Sequence, residues 1–235
     1  MVDWDDFVLY MFYEDFNYLW LGNVCAWLML SVFILYQSSK LEILEKTKRL
    51  YTKYALFFAC YAISKCVFFF SNYYHDRIET FGINPQEAII LRIGYTINLF
   101  AVSFLILGLE RDLLNWKGFT ASIAFTNTVI IIVAEESIYK IVTMYLQIMY
   151  FLIILWGYLF VAIKSTGDIR KYSIRTMLGM GLFFLGIFLD LRVIKEFFIE
   201  KNLGDVIFIL LPVINLIGTI LFYWSIPLNK QKHNL

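Results

Sequence analysis

Seven stretches of this chain are long and apolar enough to cross a bilayer, and basic residues are concentrated in every second connection between them. A hydrocarbon core of about 30 Å requires about 20 apolar residues in a helix. The pattern predicts an all-α integral membrane protein that forms a single domain, a seven-transmembrane helix bundle over residues 1–235. The predicted spans lie near 18–36, 53–74, 88–109, 119–135, 138–163, 175–198 and 205–228.

The composition also indicates a lipid environment. Of the 235 residues, 60% are hydrophobic and 17% are charged, and the mean hydropathy is +0.69, whereas soluble domains are about half apolar and about a quarter charged. The net charge of +1 gives no reason to expect a nucleic-acid partner. The first 16 residues lack the basic start of a secretory signal. Cys25, Cys60 and Cys66 lie in apolar stretches without metal-ligand spacing, which predicts buried thiols.

The fourth span is the weakest because it is short and carries several hydroxyl and amide side chains. Such a helix is expected to be buried among its neighbours, where each polar group can find a partner. The polar residues are Thr120, Ser122, Thr126, Asn127 and Thr128.

The distribution of Lys and Arg predicts the orientation. Loop 37–53 has five basic residues, loop 111–118 has two, loop 164–175 has four and the C-terminal tail has two. The opposite side has only Arg77, Lys140, Lys195 and Lys201. Because cytoplasmic loops are rich in Lys and Arg, the N-terminus is expected outside and the C-terminus in the cytoplasm. We expect a multi-pass protein of a prokaryotic plasma membrane.

Four ionisable residues lie inside the predicted spans: Lys65, Arg92, Asp190 and Arg192. Such residues cost about 2.5–3.5 kcal/mol each on insertion scales, so they usually face the bundle interior and pair. Lys65 and Asp190 are nine and eight residues from the outer ends of their spans, about 13 Å deep at 1.5 Å per residue. All the buried charge is therefore expected in the outer half of the membrane.

Helical periodicity adds polar and small-residue stripes to these charges. Gly179, Phe183, Gly186 and Asp190 share one face of the sixth span, where small residues let another helix approach closely. Asp190 is therefore expected to point inward. The third span has a polar stripe and the seventh has polar residues after Pro212, where a kink is expected. These residues are Arg92, Tyr95, Thr96 and Ser103 in the third span and Asn215 and Thr219 in the seventh.

Two interpretations of the buried charges remain open. In the first, an outward-facing polar cavity binds a small polar or anionic ligand. In the second, Lys65 and Asp190 form a structural pair that holds the second and sixth spans together, with the arginines extending toward the interface. The residues predicted to line the cavity are Lys65, Arg92, Tyr95, Asp190 and Asn215.

Several functional classes are not supported by motifs. The last span has no Lys for a retinal Schiff base. His75 and His233 fall on opposite predicted sides, which excludes a zinc site built on both. The GxSxG, P-loop and GxGxxG motifs are absent from the sequence. No cofactor or catalytic residue is therefore predicted.

The third span ends in Leu109-Glu110-Arg111, followed by Asp112. The Glu-Arg-Asp sequence is similar to the acid–Arg lock of G-protein-coupled receptors, whose other motifs are missing here. The Leu-Glu-Arg ending and the seven spans resemble uncharacterised prokaryotic seven-helix proteins, including the seven-span input modules found before histidine kinases. This resemblance implies a ligand sensor that signals through a separate cytoplasmic partner. A small transporter or channel subunit and a lipid-acting membrane enzyme are the alternatives.

Overall fold

The computed structural model describes residues 4–13, 17–40, 45–73, 85–133, 136–190, 198, 200 and 204–226. In these residues the regular structure is helical throughout. The α-helices are α1 (Trp4–Tyr13), α2 (Asn17–Lys40), α3 (Glu45–Tyr73), α4 (Pro85–Gly108), α5 (Phe119–Val133), α6 (Glu136–Lys164), α7 (Gly167–Leu189) and α8 (Gly204–Ser225). A π-helix, Leu109–Leu113, continues α4.

Among the described residues, six helices are long and apolar enough to cross a membrane: α2, α3, α4 with its π-helical extension, α6, α7 and α8. Their surfaces carry large exposed apolar side chains, such as Met29 and Ile163, each 70% exposed. Exposed apolar area on this scale is unfavourable in water but suits contact with lipid. The chain therefore has the architecture of a multi-pass helical membrane protein.

The fourth predicted span is the short helix α5. Its 15 residues extend about 22 Å at 1.5 Å per residue, less than the hydrocarbon core, and it is not one of the six long apolar helices. The N-terminal helix α1 lies before the first predicted span, with Asp5 and Asp6 in its first turn. Acidic side chains are favourable at that position because the N-terminal end of a helix is positive.

The expectation that α5 is buried among its neighbours is wrong for one side of the helix. Ser122 and Thr126 are exposed, and their hydroxyls donate to the carbonyls of Gly118 and Ser122 within the same helical segment. Such bonds satisfy a hydroxyl without a neighbouring helix. Asn127 is the residue that reaches across, because its Nδ2 lies 2.5 Å from the Tyr150 hydroxyl on α6.

The helix α7 ends earlier than the sixth predicted span. It covers Gly167–Leu189 rather than 175–198, and Asp190 is its C-cap residue. Asp190 therefore lies at a helix end and not eight residues inside the helix as expected. The predicted membrane residue Arg192 lies outside the described residues.

The chain divides into two compact units. The central unit, residues 24–154, contains most of α2, the helices α3 to α5 and the first part of α6. Its helices α2 and α3 are joined by the Ser31 hydroxyl, which donates to the Ala55 carbonyl at 2.8 Å, and by the Trp27 and Tyr61 rings, 4.8 Å apart. Phe104 of α4 packs edge-on against Phe125 of α5.

The terminal unit, residues 1–23 and 155–235, is organised around the α7–α8 pair. A Cβ atom on Gly218 would lie 2.4 Å from the backbone nitrogen of Phe183, and one on Gly179 would lie 2.6 Å from that of Phe222. The two backbones therefore touch where neither residue has a side chain. The close approach predicted from the small residues of the sixth span is confirmed.

The cysteines are less buried than the sequence predicted. Cys25 is exposed, and Cys60 and Cys66 are half-buried. The reason is that the outer face of a membrane helix is apolar, so an apolar sequence context does not distinguish a lipid-facing position from an internal one.

Candidate functional site

Lys65, the central residue of the predicted site, is buried on α3. It is 6% exposed, and its Nζ atom lies 5.7 Å from the centroid of the Phe69 ring. The preceding residue, Ser64, donates its hydroxyl to the Gly94 carbonyl at 2.8 Å. Since Ser64 touches Gly94, Lys65 and Tyr95 occupy the same level of the two helices.

The absence of a side chain at Gly94 allows this contact. The Phe68 ring occupies the position of a Gly94 Cβ, which would lie 2.7 Å from a ring carbon. The same ring packs edge-on against Tyr95 at 5.1 Å. Lys65 thus lies over the Phe69 ring, and the Phe68 and Tyr95 rings pack together at the neighbouring contact of α3 with α4.

Arg92 makes a contact with α5 that the sequence did not predict. Its guanidinium donates to the Ile132 carbonyl at 3.2 Å. Ile132 lies in the last turn of α5, where carbonyls have no helical donor and the helix end is negative. Arg92 therefore caps α5, and this contact accounts for a charge at this depth without a ligand.

Asp190 and Asn215 belong to the terminal unit. Asp190 is half-buried at the end of α7. Asn215 on α8 is fully buried and donates its Nδ2 to the Phe183 carbonyl on α7 at 3.0 Å. Asn23 on α2 makes a similar bond to the Pro212 carbonyl at 2.9 Å. Both amide nitrogens are thus used to join helices of the same unit.

The five predicted site residues fall into two groups. Lys65, Arg92 and Tyr95 lie in the central unit, and Asp190 and Asn215 lie in the terminal unit. Within the central unit, Lys65 lies on α3, and Arg92 and Tyr95 lie on α4. A ligand site that includes both groups, and the alternative pair of Lys65 with Asp190, stay predictions.

A second charged cluster lies at the opposite end of α3 and α4. The Asp112 side chain in the π-helix is only 3% exposed and is paired with Lys53 of α3. Arg49, one turn earlier on α3, lies 3.7 Å from the other carboxylate oxygen. Arg49 also pairs with Glu45 at 3.2 Å. Asp112 thus adds a buried carboxylate at the end of α3 and α4 away from Lys65, and the sequence interpretation did not include it among the buried charges.

Glu110 in the π-helix is the most buried carboxylate of this cluster, at 2% exposure. Its two oxygens accept hydrogen bonds from the backbone nitrogens of Thr120 and Ala121, at 3.1 and 2.9 Å. These nitrogens belong to the first turn of α5, where N–H groups lack helical acceptors and the helix end is positive. Arg92 and Glu110 therefore satisfy opposite ends of α5.

The π-helix leads into a tight turn, residues 114–118, that joins α4 to α5. Leu114 donates to the Leu109 carbonyl, and Trp116 donates to that of Glu110. Asn115 and Gly118 have positive φ angles of 55° and 79°, which Asn and Gly tolerate best. The Lys46 ammonium bonds the Asn115 Oδ1 at 2.7 Å and so fastens the start of α3 to the turn.

Sequence reasoning noted Glu110-Arg111-Asp112 but missed what the two acids bind. Their partners are a helix end and a lysine 59 residues away, and no local pattern indicates either. Within the described residues, no group of three His, Cys, Asp or Glu side chains could hold a metal ion. The chain matches no protein-family profile, no curated protein and no solved structure.

Proposed function

We propose that this protein is a receptor-like membrane sensor with an outward-facing polar site and a separate cytoplasmic partner. In this proposal the chain is a seven-span bundle in a prokaryotic plasma membrane, with its N-terminus outside. The uneven distribution of Lys and Arg supports the orientation. The short helix α5 serves as the fourth crossing, which the alternation of basic loops requires.

The buried Lys65 is the observation that carries the proposal. An ammonium held at membrane depth is costly, and such residues commonly mark ligand or ion sites. Lys65 lies over the Phe69 ring, and Tyr95, which has a hydroxyl that can form hydrogen bonds, follows Gly94 at the neighbouring level of α4. A cation beside aromatic faces suits a small ligand that carries a carboxylate or phosphate.

A route for the signal is supported by the same two helices. Lys65 and Lys53 are twelve residues apart on α3, about 18 Å, and Lys53 binds Asp112 in the π-helix that extends α4. A ligand that shifts α3 relative to α4 at Lys65 would therefore change the geometry of the Lys53–Asp112 ion pair at the other end of these helices. π-helical segments are frequent at functional sites, and this one faces the proposed cytoplasmic partner.

The test is a ligand screen on purified protein in lipid nanodiscs. The probes are inorganic phosphate, small mono- and dicarboxylates and amino acids, and the readout is the melting temperature. We expect at least one probe to raise the melting temperature of the wild type but not that of Lys65→Met. Lys164→Met is the matched control, because the Lys164 Nζ lies 5.4 Å from the Phe160 ring but the residue is exposed at a helix end.

Two outcomes contradict the proposal. One is that no probe stabilises the wild type. The other is that Lys65→Met responds as the control does, which would leave Lys65 with a purely structural role. Uptake of the stabilising probe into proteoliposomes distinguishes the transporter alternative, since a sensor binds its ligand without carrying it across.

A further inference from the structure

Basic side chains of the π-helix, the turn 114–118 and the start of α3 form a basic surface. Arg111 and Lys117 are exposed, and neither pairs with a carboxylate among the described residues. Lys46 is also exposed, and its bond to Asn115 is to a neutral amide oxygen, so its charge is not neutralised. Lys46, Arg111 and Lys117 therefore bring three positive charges to the turn that no carboxylate among the described residues pairs.

This surface lies at the boundary between the membrane core and water. The helix α3 has 29 residues and is about 43 Å long, so about 13 Å of it extends beyond a 30 Å hydrocarbon core. The turn itself connects the apolar helices α4 and α5. Trp116 and Phe119, at 54% and 75% exposure, flank Lys117 there, and Trp is typical of the headgroup level.

The basic groups are held in place rather than merely close in sequence. Gly118 has no side chain, and a Cβ on it would lie 3.0 Å from the Arg111 Nε. The Arg111 side chain can therefore lie directly against the turn. The Lys46–Asn115 bond brings the first turn of α3 to the same turn. Two segments of the chain thus present their cations at one place.

We propose that this basic surface binds the phosphate group of an anionic phospholipid. Three positive charges at the headgroup level complement a lipid phosphate, and each Lys or Arg near an anionic membrane surface contributes about 1 kcal/mol. Arg111 provides a planar donor set suited to phosphate, while Trp116 and Phe119 contact the glycerol and upper acyl region. The lipid is a bound component of the fold at this turn. Its binding does not depend on the proposed sensor function.

The test uses quenching of Trp116 fluorescence by brominated lipids in nanodiscs. The Trp116 contribution is the difference between the wild type and Trp116→Phe, measured with brominated phosphatidylglycerol or brominated phosphatidylcholine at equal mole fraction. We expect stronger quenching by phosphatidylglycerol. The double variant Arg111→Gln/Lys117→Gln should lower the relative affinity for phosphatidylglycerol about 30-fold, the equivalent of about 2 kcal/mol.

Two further variants make the result specific. Arg170→Gln/Arg175→Gln removes two exposed arginines from another basic connection and should leave the preference unchanged. Arg111→Lys/Lys117→Arg keeps both positive charges and should retain most of the preference for phosphatidylglycerol. Equal quenching by both lipids in the wild type overturns the proposal, as does an equal loss in the Arg170/Arg175 variant. Two results together would assign the surface to a soluble anion instead. Added inorganic phosphate would remove the preference for phosphatidylglycerol, and phosphate would stabilise the protein in nanodiscs of phosphatidylcholine alone.

Discussion

Replacing Gly218 by Ala should weaken the α7–α8 pair. The added Cβ would lie 2.4 Å from the Phe183 nitrogen, whereas ordinary contact begins at 3.4 Å, so the two backbones must separate by about 1 Å. A gap of that size forfeits a quarter to a half of the dispersion energy along the contact, and overpacking costs about 1–3 kcal/mol. The obstructing atoms belong to the backbone and cannot rotate away, so we expect a cost near the upper end of this range, about 3 kcal/mol.

The helix-forming advantage of Ala over Gly offsets about 1 kcal/mol of this cost. The net expectation is a loss of about 2 kcal/mol in the free energy of unfolding, measured by reversible unfolding in SDS-containing mixed micelles. The matched control is Gly22→Ala on α2, where nothing lies within 4 Å of the new Cβ and stability should stay equal or rise. If Gly218→Ala proves as stable as Gly22→Ala, the close-contact argument is wrong.

Three other predictions concern the charged cluster and the orientation. Glu110→Gln should cost about 2 kcal/mol of unfolding free energy because one of two charge-assisted bonds to the start of α5 is lost; an unchanged SDS unfolding curve would refute this. Lys53→Met should cost about 3 kcal/mol of unfolding free energy because it leaves the Asp112 carboxylate buried with only the more distant Arg49. The double variant Lys53→Met/Asp112→Leu should recover most of this stability, because it removes the buried charge as well. A double variant as unstable as Lys53→Met would contradict the pairing argument. In a background without native cysteines, a membrane-impermeant maleimide applied to intact cells should label Asp5→Cys and not Lys48→Cys, and the reverse pattern would overturn the orientation.

The sequence predicted the helices well because the membrane imposes a simple rule. Every backbone polar group in lipid must be bonded internally, so a long apolar run is almost necessarily a helix. The same rule explains the weaker result at helix ends. Apolar residues continue past Asp190 in the sequence, so hydropathy gave no reason to end α7 at Leu189.

Partners were harder to predict than helices. The small residues of the sixth span predicted a close helix contact because only packing explains them at that spacing. By contrast, the sequence did not predict that Arg92 binds the last turn of α5 or that Glu110 binds the first turn of the same helix. Both roles depend on which helix lies beside α4, and one sequence does not contain that information.

In the proposed seven-span arrangement, in which α5 is the fourth crossing, the capping of α5 has a consequence for how the chain enters the membrane. At 15 residues, this helix is too short to insert well alone, and its unpaired terminal N–H and C=O groups would be costly in lipid. The groups that satisfy them come from both ends of α4, so they become available only after α4 is in place. Helices α4 and α5 therefore insert most favourably together, as a preformed hairpin, and a pause between them during synthesis would leave the shorter helix unable to hold its position.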